Sequence, residues 1–142
     1  MDHWTKSYYE MRFRIDFLER KATSFQDLFV KVMSKAYPRE FMASRPWGRS
    51  GDRKNDGYLP TERLLFQVYA PNELRSSETI KKVIEDFNGV LPHWEKYFRT
   101  WVFVHNTDEL PPDVIKKIEE LRSRHASIKI ETWGLKRSLR DF

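Results

Sequence analysis

The segment Gly51-Asp52-Arg53-Lys54-Asn55-Asp56-Gly57, followed by the apolar run Leu64-Leu65-Phe66-Gln67-Val68-Tyr69, decides how this chain reads. The first stretch is turn chemistry, because Gly, Asn and Asp tolerate the tight backbone that joins two strands. The second is apolar throughout with one polar interruption, the pattern of a strand buried on both faces. A Gln inside such a strand needs a partner, since an unpaired buried amide costs about 1–3 kcal/mol. Either Gln67 hydrogen-bonds a neighbouring loop, or it joins Asp56 in a polar site. An Asp at the start of one strand and a polar side chain on the next can converge on one hard cation. Such a cation takes a few protein oxygens and fills its shell with water and phosphate.

Outward from this segment the elements alternate. Downstream, Ser76 or Ser77 caps a helix with the stripe Ile80, Val83, Ile84, Phe87 and Leu91, ending near Pro92. Trp101-Val102-Phe103-Val104 is a strand. Pro111-Pro112-Asp113 opens a second helix that turns Val114, Ile115, Ile118 and Leu121 inward. Ile128 to Thr132 alternates as a strand, and Gly134 to Phe142 reads as a short basic helix. Upstream, Phe25, Leu28, Phe29, Val32, Met33 and Ala36 draw one helical stripe, with Ser24 and Asp27 as a capping box and Tyr37-Pro38 as the stop. The charge-rich stretch Tyr9–Lys21 is a further helix, and Phe41–Ser44 a short strand. The order is α-α-β-β-β-α-β-α-β-α. It predicts an α/β fold, a mixed central sheet flanked by helices. The expected organisation is a single domain over residues 1–142 with residues 1–22 as an N-terminal helical extension, either alone or as one module of a larger protein.

Composition sets the partner class. The 142 residues carry 26 Lys and Arg against 21 Asp and Glu, a net charge of +5. Mean hydropathy is −0.73, and no apolar run approaches the roughly 18 residues of a spanning helix. A cytoplasmic protein without membrane contact is therefore expected. Five Trp and ten Phe are too many for a disordered chain. The absence of Cys removes disulfides, thiol nucleophiles and Cys-based zinc sites. His3, His93, His105 and His125 lack zinc-type spacing. Neither a phosphate-binding Gly-rich loop nor a serine-nucleophile motif is present. Between Arg39 and Asp56 five basic residues face three acidic ones. Arg45, Arg49, Arg53 and Lys54 thus form a candidate phosphate-contacting loop, beside a Trp47 able to stack on a base or cover the core edge. A solvated loop whose arginines pair with nearby acids is the competing reading.

The pattern Gly-Asp-x-x-x-Asp-Gly, a short turn, and an apolar strand carrying Gln-x-x resembles the restriction-endonuclease-like PD-(D/E)XK superfamily. It is most similar to the Mrr-type branch, whose motif runs Gly-Asp-Gly-Gly-x-Asp-Gly and then Gln-x-Lys. The element order over residues 24–133 fits as well. The resemblance implies a nuclease-fold domain acting on DNA or RNA by Mg²⁺-dependent phosphodiester hydrolysis, in prokaryotic antiviral defence, with a homodimer or covalent partner domains. On this resemblance Asp56 is the metal-binding aspartate, Gln67 replaces the second carboxylate, and Gln26 stands where a helical glutamate is common. The Val68 carbonyl is a further candidate metal ligand.

Tyr69 departs from the pattern. It stands where those enzymes carry the lysine that polarises the attacking water, and a phenol with a pKa of about 10 offers no positive charge at neutral pH. Lys54, or Lys81 or Lys82 in the following helix, is then the candidate replacement. The alternative is a catalytically inactive derivative that binds nucleic acid or protein.

Overall fold

The computed structural model describes residues 6–7, 10–11, 13–15, 22–43, 55–107 and 109–134. The fold is α/β, built on a five-stranded mixed sheet. Strands β1 (Met42–Ala43), β2 (Gly57–Leu59), β3 (Leu64–Tyr69), β4 (Thr100–His105) and β5 (Lys129–Trp133) lie side by side in chain order. The pairs β1–β2 and β2–β3 are antiparallel, whereas β3–β4 and β4–β5 are parallel. Connection length explains the change. The residues between Leu59 and Leu64 suffice only for a hairpin, while parallel neighbours need a crossover of a dozen residues or more. Helices α2 (Ser76–Trp94) and α3 (Pro112–Arg124) supply those crossovers. Helix α1 (Ala22–Ala36) precedes the sheet.

Both crossovers step the same way along the sheet, so a common hand puts both helices on one face. The side-chain sets agree. Leu65 and Tyr69 of β3 and Trp101 and Phe103 of β4 pack with Val83, Phe87 and Val90 of α2 and Val114, Ile118 and Leu121 of α3. The alternate residues Leu64, Phe66 and Val68 pack with Phe25, Phe29 and Met33 of α1 and with Trp133. This period of two follows from the pleat, and the spacing of four along α1 follows from the helix. Phe13, one of the helical residues described near the N-terminus, joins the α1-side core. Covered on both faces, β4 is buried from end to end.

Several boundaries differ from the sequence reading. Helix α1 begins at Ala22, so Ser24 lies within the first turn rather than at the N-cap. Helix α2 has Arg75 at its N-cap with no side-chain cap bond, and it runs through Pro92 to Trp94. Pro92 is tolerated because the carbonyl it leaves without a donor, that of exposed Asn88, can bond to water. The buried stripe of α2 is Thr79, Val83, Asp86, Phe87 and Val90, with Ile80, Ile84 and Leu91 at its margin. Ile115 of α3 is exposed rather than inward. Most of the Tyr9–Lys21 helix, the end of Phe41–Ser44 and the basic helix after Gly134 lie outside the described residues.

Arg63 organises the amino ends of the parallel strands. It takes a left-handed backbone conformation, φ 57°, at the close of the β2–β3 turn. Its guanidinium donates to the carbonyls of Lys96 (2.7 Å) and Tyr97 (3.3 Å). Its own carbonyl accepts from the amides of Arg99 and Thr100. The hairpin turn is thereby tied to the turn that feeds β4.

Phe66 sits at the centre of the α1-side core, its ring centroid 5.2 Å from those of both Phe29 and Trp133. Phe66→Ala is expected to cost about 3–5 kcal/mol through lost burial and a residual cavity. A lowered denaturant midpoint with unchanged slope is the result to look for.

Candidate functional site

Asp56 immediately precedes β2 and is buried, 7% exposed. Its amide donates to the Phe66 carbonyl at 2.8 Å, which fixes its position beside β3. The carboxylate Oδ2 accepts from the Val68 amide at 2.7 Å and from Gln67 Nε2 at 3.0 Å. Oδ1 accepts from Gln26 Nε2. Residues 26, 56 and 67, read as candidate site members, therefore meet at one carboxylate although they come from α1, the lead-in to β2, and β3.

The chemistry of the donors orients both amides. An ionised carboxylate only accepts, so each Gln must present its nitrogen. The Oε1 of Gln67 is turned the other way. It is buried and finds no hydrogen-bond partner among the described residues. Amide and carbonyl of one strand residue face the same edge, so the Val68 carbonyl lies on the Asp56 side of β3. As placed, the Asp56 carboxylate faces three N–H donors and the Gln67 oxygen points elsewhere, so these oxygens could serve a hard cation only after the Gln67 amide turned. No group of three or more His, Cys, Asp or Glu able to hold a metal occurs among the described residues.

Tyr69 is engaged by α2 and β4. Buried Thr79, in the first turn of α2, donates its hydroxyl to the phenol oxygen at 3.3 Å, and the ring lies 5.6 Å from that of Phe103. Thr79 escaped the sequence reading, although a polar residue four before Val83 on the buried stripe signals it. Neither alternative lysine of α2 reaches the site. Lys81 faces Glu85 at 3.9 Å and Lys82 faces Asp86 at 3.2 Å, both one turn along their own helix. Arg45, Trp47, Arg49, Arg53 and Lys54 lie outside the described residues.

A second polar group sits at the carboxyl end of β4. His105 pairs in register with Tyr69 across the parallel ladder and is 4% exposed. Gly134 lies against its ring so closely that a Cβ there would stand 2.7 Å from the imidazole Cε1. Burial lowers the imidazole pKa to about 4, partly opposed by a hydrogen bond with the Thr107 backbone. Nδ1 is buried and has no partner among the described residues. His105 thus anchors the loop after β4 as a neutral ring.

Compared with protein-family models, with curated proteins and with solved structures, the chain finds no match. Among the described residues no helix is long and apolar enough to cross a membrane.

The His105 pKa is depressed on folding, so the unfolded chain binds more protons between its ordinary value of 6.5 and about 4. Stability is complete above 6.5 and is lost as pH falls through this window, by about 3 kcal/mol in all. Denaturant midpoints measured from pH 7 to pH 4 should show this loss, and His105→Gln should flatten it.

Proposed function

We propose that this chain is a nuclease-fold domain of restriction-endonuclease-like type that acts on nucleic acid by metal-dependent phosphodiester hydrolysis, in prokaryotic defence. The observation that carries the reading is the meeting of Gln26, Asp56 and Gln67 at one buried carboxylate. Asp56, the Gln67 Oε1 once its amide has turned, and the Val68 carbonyl are the groups that would hold Mg²⁺. Bound there, the ion supplies Lewis-acid activation of water and charge neutralisation at the leaving oxygen.

The residues of the chain have separate tasks around that centre. Asp56 contributes the negative charge, held in place by the main chain of β3 on one side. Gln67 adds an oxygen donor without a second charge, so a bound phosphodiester completes the anionic shell. Arg45, Arg49, Arg53 and Lys54, just before Asp56 in sequence, supply the electrostatic attraction for the nucleic-acid backbone. Pairing of two copies, or a covalently linked partner domain, would set how many strands are cut.

The pairing of Tyr69 with Thr79 favours a second reading, a derivative of the same fold that binds nucleic acid or protein without cutting. The phenol stands at the sequence position of the activating lysine and is engaged by Thr79. One experiment separates the two. Single- and double-stranded DNA and RNA are incubated with wild type or Asp56→Ala in Mg²⁺ or Mn²⁺. Metal-dependent cutting that drops to background in the variant is expected. If wild type neither cuts nor takes up metal, the nuclease reading fails. Affinity for nucleic acid that weakens steeply with salt then marks a nucleic-acid-binding module, and no affinity marks a protein-binding one.

A further inference from the structure

We propose that Arg122 guards the outer edge of the sheet: by occupying the Ile130 carbonyl, it keeps strand β5 from pairing with β5 of a second copy of this chain. The chemistry proposed at Asp56 plays no part in this. Among the described residues β5 is the last strand of the sheet, with β4 on one side and no strand on the other. One bond fixes which way its main-chain groups point. The Lys129 amide donates to the Arg99 carbonyl at 2.9 Å, so Lys129 turns its main-chain groups toward β4. These groups alternate sides along a strand, so Glu131 does likewise, and Ile130 and Thr132 turn theirs outward. Such an edge is a template for another strand. At the opposite end of the sheet β1 spans only Met42–Ala43, too short to act as one.

Arg122, in the last turn of α3, closes this edge. Its Nε and Nη2 donate to the Ile130 carbonyl at 2.9 and 2.8 Å, and its Nη1 pairs with Glu119 one turn back along the helix. The planar guanidinium is thus held from both sides. A charged donor on that oxygen is stronger than the neutral amide an incoming strand would bring.

The pattern of charge identifies the strand that is kept out. In an antiparallel pairing centred on Ile130, the two copies of Ile130 exchange both of their main-chain bonds. Lys129 then stands opposite Glu131 of the second copy on each side of the axis, an attractive cross-strand pair. Lys129 and Glu131 share one side of the strand, 3.4 Å apart within the chain. An axis centred on either of them would instead set like charges against each other. The central bond of the favoured pairing needs the very oxygen that Arg122 holds.

The test is sedimentation velocity of the full chain over a range of concentrations, with amide hydrogen exchange at Ile130 and Thr132 and a thermal melt of each protein. Wild type is compared with Arg122→Met, which keeps an unbranched stem and the helix propensity but loses the donors. The variant should sediment at about twice the wild-type mass, because a twofold axis closes the assembly. Its Ile130 and Thr132 amides should exchange more slowly as it associates. Adding Lys129→Glu, which sets acid against acid across the axis, should return the wild-type mass. Arg122→Lys keeps the charge and loses the paired donors. It should show the same change in weaker form, so a folding defect in the Met variant does not remove the test. In wild type, exchange at the two amides should not depend on concentration. Folded Arg122 variants that keep the wild-type mass overturn the guard, as does association that survives Lys129→Glu. Concentration-dependent protection of the two amides in wild type overturns it as well.

Discussion

A strand that must be covered on both faces dictates the rest of this molecule. Leu64, Leu65 and Phe66 are apolar on consecutive positions, so each side of β3 needs its own layer. Helix α1 forms one layer through Phe25, Phe29 and Met33, and helices α2 and α3 form the other. The parallel neighbour β4 inherits the same constraint and is buried along its whole length. Trp101, Phe103 and His105 then line up on its α2-facing side, with ring centroids 5.8 and 6.5 Å apart.

That double coverage also makes the polar interruption meaningful. Gln67 lies on the sequestered strand two positions before Tyr69, and its amide nitrogen donates to the Asp56 carboxylate. Low dielectric around the pair strengthens its hydrogen bonds and raises the cost of any polar atom left over. A sheet whose central strand faced water would leave Gln67 solvated and Asp56 an ordinary turn residue. The same sequestration holds the His105 imidazole neutral.

Much of the architecture was legible because its signals are local. The helical stripe Phe25–Phe29–Met33, the Pro112 start of α3 and the apolar run of β3 each depend on residues close in sequence. The alternation of these elements was enough to predict a mixed sheet between helices. The meeting of Asp56 with Gln67 could be anticipated because their strands are joined by a short turn, and that of Gln26 rested on the resemblance alone. Thr79, by contrast, matters through a contact with Tyr69 ten residues earlier, and no local pattern announces which residue will receive its hydroxyl. The pairing of Lys81 and Lys82 along α2 was visible as spacing of four, Lys81 to Glu85 and Lys82 to Asp86, and that spacing argues against sending either lysine to Asp56. Ile115 shows the limit of an apolar stripe, because a helix needs only part of its circumference buried.

Arg63 has a consequence for which positions of this chain are free to vary. Its guanidinium grips the carbonyls of residues 96 and 97, and its own carbonyl serves the amides of residues 99 and 100. Every one of these contacts is to main chain, so the staple is indifferent to what the side chains at 96 and 97 are. The side chain of Lys96 can therefore vary while the joint between hairpin and crossover keeps its shape, whereas that of Tyr97 also packs edge-on against Trp94. Sequence freedom at that end of the sheet is thus concentrated on one side of a fixed joint.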